Sequence, residues 1–98
     1  MSRSVSFLRD AGDEFGQAVD WYDQQRAGYG VTFSDAVQNV LDRIAPQPDF
    51  YPIVYGDVRE RRTSGFPYYV YYREEVGCIV VVGVVHAARD PAVWQRRV

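Results

Sequence analysis

The first half of the chain shows helical periodicity in two stretches. In the first stretch the apolar positions recur three and four residues apart, at Ala11, Phe15, Ala18, Val19 and Tyr22. Asp10 precedes them as the expected N-cap, and Asp13 follows at the spacing of a capping box. We expect Gly28 and Gly30 to end this helix, because glycine is common just beyond helix C termini.

The second stretch carries the cleanest helical pattern in the sequence. One apolar stripe is formed by Phe33, Ala36, Val37, Val40, Leu41 and Ile44. The intervening polar positions form the opposite face, so we expect an amphipathic helix whose stripe packs in the core. Pro46 and Pro48 end it. The short connection between the two helices predicts an antiparallel hairpin.

The pattern changes to that of β-strands after Pro52. Residues 58–63 predict a charged strand, and residues 68–73 alternate aromatic and aliphatic side chains. Residues 74–77 are the expected hairpin turn. The Val-rich run at residues 78–86 is continuous, which is typical of a central strand buried on both faces.

The two ends of the chain carry weaker signals. Residues 4–8 alternate enough for an edge strand, and residues 91–97 predict one helical turn with Asp90 as N-cap and Pro91 at the first position. The whole pattern predicts a single α+β domain over residues 1–98. Its N-terminal helical hairpin packs on one face of a small twisted antiparallel sheet, the strands' polar residues line the other face, and a short C-terminal helix follows.

Composition adds a charge asymmetry that the net charge of −2 hides. Residues 1–49 carry four arginines and eight acids, whereas residues 50–98 carry seven arginines and five acids, and there is no lysine. Arginine suits phosphate and carboxylate ligands. A biased genome composition explains the absence of lysine equally well, and a nucleic-acid binder is usually more basic overall.

No feature points to secretion, a membrane or a cofactor. Cys78 is the single cysteine, so no internal disulfide is possible, and no metal-ligating residue lies near it in the sequence. Residues 1–7 lack the apolar stretch of a signal peptide, and the longest apolar run is far shorter than the ~20 residues of a membrane helix. Gly28-Tyr29-Gly30 lacks the lysine of a phosphate-binding loop. We expect a cytoplasmic protein without metal or cofactor.

Several short motifs occur in a recognisable order. They are Ala18-x-x-Trp21-Tyr22, Gly30-x-x-Phe33, Pro48-x-x-Tyr51-Pro52, Val58-Arg59, Phe66-Pro67-Tyr68, Val70-Tyr71-Tyr72-Arg73 and Val85-His86-x-x-Arg89-Asp90-Pro91-x-x-Trp94. In this order and spacing, over about residues 10–97, the chain resembles the RelE/ParE superfamily of toxins.

That resemblance implies a fold, a function and a partner. Members have a twisted antiparallel sheet with a helical hairpin against it, and they are the growth-inhibiting toxins of type II toxin–antitoxin systems, including plasmid stabilisation proteins. Each is neutralised in a hetero-oligomer with an antitoxin encoded beside it. RelE-like members cut mRNA in the ribosome, whereas ParE-like members inhibit DNA gyrase, and fold alone does not choose between them.

A metal-free ribonuclease of this type needs an acid–base pair and arginines to hold the scissile phosphate. If this chain is a nuclease, the candidate catalytic residues are His86, Arg59, Arg61 and Arg89. Histidine can exchange a proton near neutral pH, and His86 is the only one. The alternative is that His86 is a polar strand-end residue that hydrogen-bonds a loop.

The candidate binding residues, whatever the target, are Arg59, Arg61, Arg73, Arg89 and Trp94. Antiparallel pairing can bring the first three onto one exposed polar face, where alternation makes Arg59 and Arg61 point the same way. The alternatives are a solvated face paired with Glu60, Glu74 and Glu75, or a surface for an acidic antitoxin. Arg89 is also compatible with a purely structural turn beside Asp90.

Trp94 departs from the RelE-like pattern, in which an ionisable group often stands near this position. Indole stacks on a base but does not exchange a proton near neutral pH, and its alternative role is packing against the sheet. Together with the single histidine and the missing lysines, Trp94 favours ParE-like gyrase inhibition over RelE-like mRNA cleavage. A third interpretation is a decayed toxin that retains only antitoxin binding.

Overall fold

The computed structural model describes residues 3–98. Its elements are β1 (Ser4–Phe7), α1 (Arg9–Gln25), α2 (Tyr29–Ile44), a single 3-10 turn (Pro48–Phe50), β2 (Ile53–Tyr55), β3 (Val58–Arg62), β4 (Tyr68–Glu75), β5 (Cys78–His86) and α3 (Ala92–Gln95). The strands form one sheet in the order β1-β5-β4-β3-β2. The predicted α+β architecture is confirmed, and β2 is an element that the sequence pattern did not predict.

The sheet is antiparallel from β5 to β2, as predicted, but β1 runs parallel to β5. β1 occupies the edge expected for residues 4–8, and it pairs with only the first half of β5, from Ser4 opposite Cys78 to Phe7 opposite Val81. The Leu8 amide then donates to the Val81 carbonyl at 2.9 Å. Beyond Val81, no strand of the described residues lies beside the same edge of β5.

The start of α1 differs from the prediction. The helix begins at Arg9 directly after Leu8, and no side chain caps it, so the assignment of Asp10 as N-cap is wrong. The physical reason is that Leu8 still belongs to the sheet through its amide, while its carbonyl already accepts from Gly12 at 3.0 Å. The chain therefore passes from strand to helix with no room for a capping residue.

The connection between the helices also differs from the prediction at one residue. Gly28 lies between the helices with a φ of 84°, whereas Gly30 lies inside the first turn of α2 and ends nothing. A Cβ at Gly30 would lie 2.6 Å from the Val19 carbonyl oxygen. Asp23 Oδ1 accepts from the amides of Gly28 and Gly30 at 3.0 and 3.3 Å, which satisfies two backbone donors at the start of α2. Gly30 therefore permits the close approach of α1 and α2.

The face of the sheet under the helical hairpin holds the larger core, here called the helix-face core. Its buried members are Ala11, Ala18, Tyr22, Phe33, Val37, Val40, Leu41, Ile44, Phe66, Val70, Tyr72, Ile79, Val81 and Val84. The predicted core role of the α2 stripe is confirmed, since Phe33, Val37 and Leu41 are buried. Edge-to-face rings of Tyr22, Phe33 and Phe66 fill its centre.

The opposite face was expected to be polar, and that expectation is wrong. It carries a second buried set, here called the α3-face cluster, formed by Val58, Val80, Val82, Val85 and Trp94. The expectation that β5 is buried on both faces is confirmed by these residues together with Ile79, Val81 and Val84. The tail helix is one residue shorter at its start than predicted, since α3 begins at Ala92 with Pro91 rather than Asp90 at the N-cap position, although Asp90 Oδ1 accepts from the Ala92 amide at 2.9 Å.

Candidate functional site

Arg59 and Arg61 share one face of β3, as alternation along the strand predicted, but that face is the one toward the helices and not the expected polar face. The register places Arg59 opposite Tyr72 and Arg61 opposite Val70, both members of the helix-face core. Arg59 Nη1 donates to the carbonyls of Tyr51 and Asp49 at 2.6 and 3.2 Å. Arg59 therefore fixes the 3-10 turn to β3, and its side chain is half-buried rather than fully exposed.

The Arg61 side chain lies beside a groove rather than against backbone. Its guanidinium sits 5.0 Å from the centre of the Tyr51 ring, and its Nε is buried without a hydrogen-bond partner. The groove, here called the Arg61 groove, separates α2 from β3 and the loop that follows β3. Its lining residues are Thr32, Asp35, Ala36, Asn39, Val40 and Arg43 on α2 and Arg61, Arg62, Thr63, Ser64 and Phe66 opposite.

His86 and Arg89 line a different depression, here called the His86 cleft, which lies between α1 and the end of β5. Glu14, Gln17, Ala18, Trp21, Tyr68, Val84 and Val85 complete its lining. The His86 ring meets Tyr68 edge-on with the ring centres 5.3 Å apart. Burial raises the pKa of Tyr68, and nearby Arg89 only partly opposes this, so the phenol keeps its proton at neutral pH.

One backbone hydrogen bond sets the proton arrangement of His86. The Ala88 amide donates to His86 Nδ1 at 3.0 Å. A neutral imidazole that accepts at Nδ1 carries its proton on Nε2. His86 therefore offers a donor at Nε2, whereas a general base needs a free lone pair at the atom that faces the substrate.

Arg73 does not join Arg59 and Arg61. The register pairs it with Val80 of the α3-face cluster, so it points to the opposite side of the sheet. Its Nε donates to Glu75 Oε2 at 2.9 Å. The prediction of one face shared by Arg59, Arg61 and Arg73 is wrong. Arg59 pairs with Tyr72, whose side chain faces the helices, and Arg73 follows Tyr72 directly in β4, so its side chain points to the opposite face.

Trp94 packs against the sheet, the alternative that the sequence offered for it. The indole is only 2% exposed and stacks on Tyr71 with the ring centres 4.2 Å apart. A ring so placed lies inside the α3-face cluster and not on the surface that a partner would touch.

An ion pair that the sequence did not reveal closes the open edge of β5. Arg97 Nη1 and Nη2 each donate to a Glu14 carboxylate oxygen at 2.8 Å. Arg97 Nη1 also donates to the Val82 carbonyl at 3.0 Å, and the Val84 amide donates to Glu14 Oε1 at 3.2 Å. The hydrogen bond to Glu14 raises the pKa of Arg97. The side chains of Glu14 and Arg97 therefore hydrogen-bond the backbone of β5 beyond Val81, where its pairing with β1 ends.

The residues proposed for nuclease chemistry are therefore divided. His86 and Arg89 lie beside α1, Arg61 lies beside α2, and Arg59 is tied to residues 49 and 51. Within residues 3–98 there is no cluster of three His, Cys, Asp or Glu side chains that could hold a metal ion. No helix in the same range is long and apolar enough to cross a membrane.

Comparison with solved structures shows a likeness in fold. The chain superimposes on a chain in the solved structure of the chromosomal ParDE TA system from P. aeruginosa with a TM-score of 0.63 and 16% sequence identity. The match covers 87% of this chain and 96% of that chain. The two chains share a fold. At this identity the likeness extends to the fold alone. No protein-family model and no curated protein matches the sequence.

Proposed function

We propose that this chain is the toxin subunit of a type II toxin–antitoxin module and that it arrests growth by binding and inhibiting DNA gyrase. Two independent lines support the toxin assignment. The ordered motifs at about residues 10–97 resemble the RelE/ParE superfamily, and the fold is that of a chain from a ParDE TA system over 87% of this chain.

The candidate nuclease residues lie in separate places on the surface, and this separation is the observation that favours a binding inhibitor over a nuclease. Arg59 is engaged with two carbonyls, and the Nδ1 lone pair of His86 is occupied by the Ala88 amide. Cleavage through a 2′-hydroxyl needs a base, an acid and a phosphate-holding cation at one centre. The His86 cleft and the Arg61 groove lie along different helices, which favours ParE-like action.

RelE-like cleavage of mRNA is the second candidate, and the His86 cleft supports it. His86, Arg89 and the protonated Tyr68 share one opening with Glu14. A metal-independent endonuclease of this fold would have to work from that cleft alone.

An antitoxin encoded by a neighbouring reading frame is the expected partner. Trp21 is 54% exposed and Val31 is 63% exposed on the helical hairpin, and within residues 3–98 no strand pairs with the outer edge of β1. An amphipathic helix or an added strand would cover such surfaces. Expression with each adjacent frame in turn should give a co-purifying complex, and failure of both would count heavily against the toxin assignment.

One pair of assays separates the two targets. The purified chain should inhibit supercoiling by DNA gyrase, and its induction should leave mRNA without discrete in-codon ends in primer extension. His86→Ala should keep full toxicity with an unchanged circular dichroism spectrum, because His86 is exposed and its side chain is held by one hydrogen bond from the Ala88 amide and one edge-on contact with Tyr68. In-codon cuts that vanish in folded His86→Ala, with gyrase unaffected, would establish the nuclease instead.

A further inference from the structure

Exposed hydrophobic side chains are concentrated at one edge of the sheet. Eight large hydrophobic side chains are exposed in residues 3–98, and four of them lie within residues 50–55. These four, here called the β2 patch, are Phe50, Ile53, Val54 and Tyr55. The other four lie singly on four different segments of the chain. Single exposed hydrophobic residues are common on protein surfaces, whereas a contiguous group is typical of a surface that another molecule covers.

The strand β2 lacks the charged side chains that protect most edge strands. Such charges discourage another strand from pairing with an unpaired edge. All three residues of β2 are hydrophobic and exposed, and among the described residues no strand pairs with its outer edge. Pro52 precedes it, and its pairing with β3 is irregular between Ile53 and Tyr55. A long added strand therefore does not fit this edge, whereas a short segment that contacts the side chains does.

The β2 patch is held in one conformation by contacts within the chain. At its start, Arg59 Nη1 donates to the carbonyls of Asp49 and Tyr51 at 3.2 and 2.6 Å. At its end, the Tyr55 ring meets Trp94 edge-on with the ring centres 5.8 Å apart. A hydrophobic surface that is already ordered loses little conformational entropy when a partner binds, which favours a specific contact.

The charges beside the β2 patch indicate the charge of its partner. Asp49 precedes the patch by one residue and Asp57 follows it by two, and both are exposed. Neither forms an ion pair within residues 3–98. Arg59, the cation nearest in sequence, is engaged with backbone carbonyls. Carboxylates at both ends of the patch repel a phosphate backbone or an acidic segment and attract a partner with basic side chains.

The same charges disfavour a second copy of this chain as the partner. Two copies that pair along their β2 edges about a two-fold axis run antiparallel, so the Asp57 end of one copy lies beside the Asp49 end of the other. Carboxylates then meet at both ends of the interface, and their repulsion opposes the hydrophobic contact between them.

We propose that the β2 patch is the surface through which this chain contacts the protein surface of DNA gyrase. It fits a short segment that places hydrophobic side chains over Phe50 and Ile53 and basic side chains near Asp49 and Asp57. The patch lies at the opposite edge of the sheet from β1, away from one of the surfaces expected to bind the antitoxin. This inference rests on the proposed function, because that function names gyrase as the target.

The test measures inhibition of gyrase supercoiling by the purified full chain and its variants. Phe50→Ser and Ile53→Ser should each raise the concentration for half-maximal inhibition roughly tenfold, as expected for residues at the centre of an interface. Asp57→Arg should raise it by a smaller factor, because it places an arginine opposite basic side chains. Val76→Ser removes a fully exposed hydrophobic side chain from the β4–β5 turn and should change nothing. Phe50 is 73% exposed, so its replacement tests the patch even if circular dichroism shows that Ile53→Ser is unfolded.

Several outcomes would overturn the proposal. Unchanged inhibition by folded Phe50→Ser, an equal loss in Val76→Ser, or stronger inhibition by Asp57→Arg would each do so. A wild-type dimer in light scattering that becomes a monomer in Phe50→Ser would assign the β2 patch to a second copy. Loss of the complex with the cognate antitoxin in the same variant would assign the patch to the antitoxin.

The wild-type chain separates this inference from the proposed function. If it does not inhibit gyrase, the proposed target is wrong and the β2 patch loses its proposed partner. If wild type and Phe50→Ser inhibit gyrase equally, the proposed target stands and only the assignment of the surface is wrong.

Discussion

The two faces of the sheet are stabilised in different ways. The helix-face core contains fourteen buried residues beneath two helices of 17 and 16 residues. The α3-face cluster contains five, beneath a helix of four residues that has no independent stability. The second face depends on Trp94 for packing and on the Arg97–Glu14 ion pair for holding the C-terminal segment in place.

The largest predicted effect is on the helix-face core. Phe33 is fully buried and contacts several aromatic rings, so Phe33→Ala should lower the free energy of unfolding by about 3–5 kcal/mol through lost transfer energy and a cavity. Urea denaturation followed by circular dichroism measures this. Val31→Ala, two residues away on the exposed side of α2, is the matched control and should change stability by less than about 0.5 kcal/mol.

A substitution at Gly30 tests how closely the two helices must approach. Gly30→Ala places a methyl group 2.6 Å from the Val19 carbonyl oxygen, which only a shift of the helix backbone can relieve. We expect a loss of about 1–3 kcal/mol from this overpacking, although alanine is the better helix former. Gly16→Ala on the open side of α1 meets no atom within 4 Å and should stabilise the protein slightly. Equal melting temperatures for the two variants would show that the helices do not pack this closely.

The ion pair between Arg97 and Glu14 should stabilise the packing of α3 on the sheet more than it stabilises the helix-face core. Arg97→Met removes the bidentate bond and leaves Glu14, which is only 14% exposed, without its partner. We expect a loss of about 2 kcal/mol. The background Trp21→Phe leaves Trp94 as the only tryptophan, so its fluorescence reports on α3 alone.

In that background, Arg97→Met should let Trp94 become exposed at lower urea concentration than the helices unfold by circular dichroism. Arg96→Met, at an exposed neighbouring position, should keep the two transitions together. Coincident transitions in both variants would mean that the two faces unfold as one unit and that the ion pair gives α3 no separate control.

The sequence was informative where structure depends on local spacing. Helical periodicity predicted the buried stripe of α2, and the unbroken Val-rich run predicted that β5 is buried on both faces. The period of two also predicted that Arg59 and Arg61 share a face. Each of these follows from residues within a few positions of one another.

Contacts between distant positions were not predictable in this way. Arg97 and Glu14 are 83 positions apart, and nothing local marks either as a partner of the other. Arg59 contacts two backbone carbonyls near the 3-10 turn. Every residue has such a carbonyl, so the residue types there could not indicate which ones would accept from Arg59. The separation of the candidate site residues was unpredictable for the same reason. The register of β3, β4 and β5 decides which arginine side chains lie on the same face, and that register depends on contacts between distant residues.

The smallest predicted effect concerns a single hydroxyl under the helix-face core. Tyr72 is fully buried, and its hydroxyl donates to the Pro48 carbonyl at 2.6 Å. Tyr72→Phe keeps the ring and leaves that carbonyl without its donor, so we expect a loss of about 1 kcal/mol at neutral pH. A loss above that of Phe33→Ala would mean that the hydrogen bond, and not the area of the rings, dominates this face.

The same residue predicts how stability changes in alkali. Burial raises the pKa of Tyr72 to about 12, above the value of about 10 for an unfolded tyrosine, so the folded chain holds this proton more tightly than the unfolded chain does. The resulting stabilisation is fully present below pH ~10 and is lost as the pH rises from ~10 through ~12. Burial also raises the pKa values of Tyr22, Tyr68 and Tyr71, so the wild type should lose stability over this range through several groups. Urea midpoints measured between neutral pH and pH ~11 should fall less steeply for Tyr72→Phe than for wild type, and parallel curves would show that Tyr72 titrates normally.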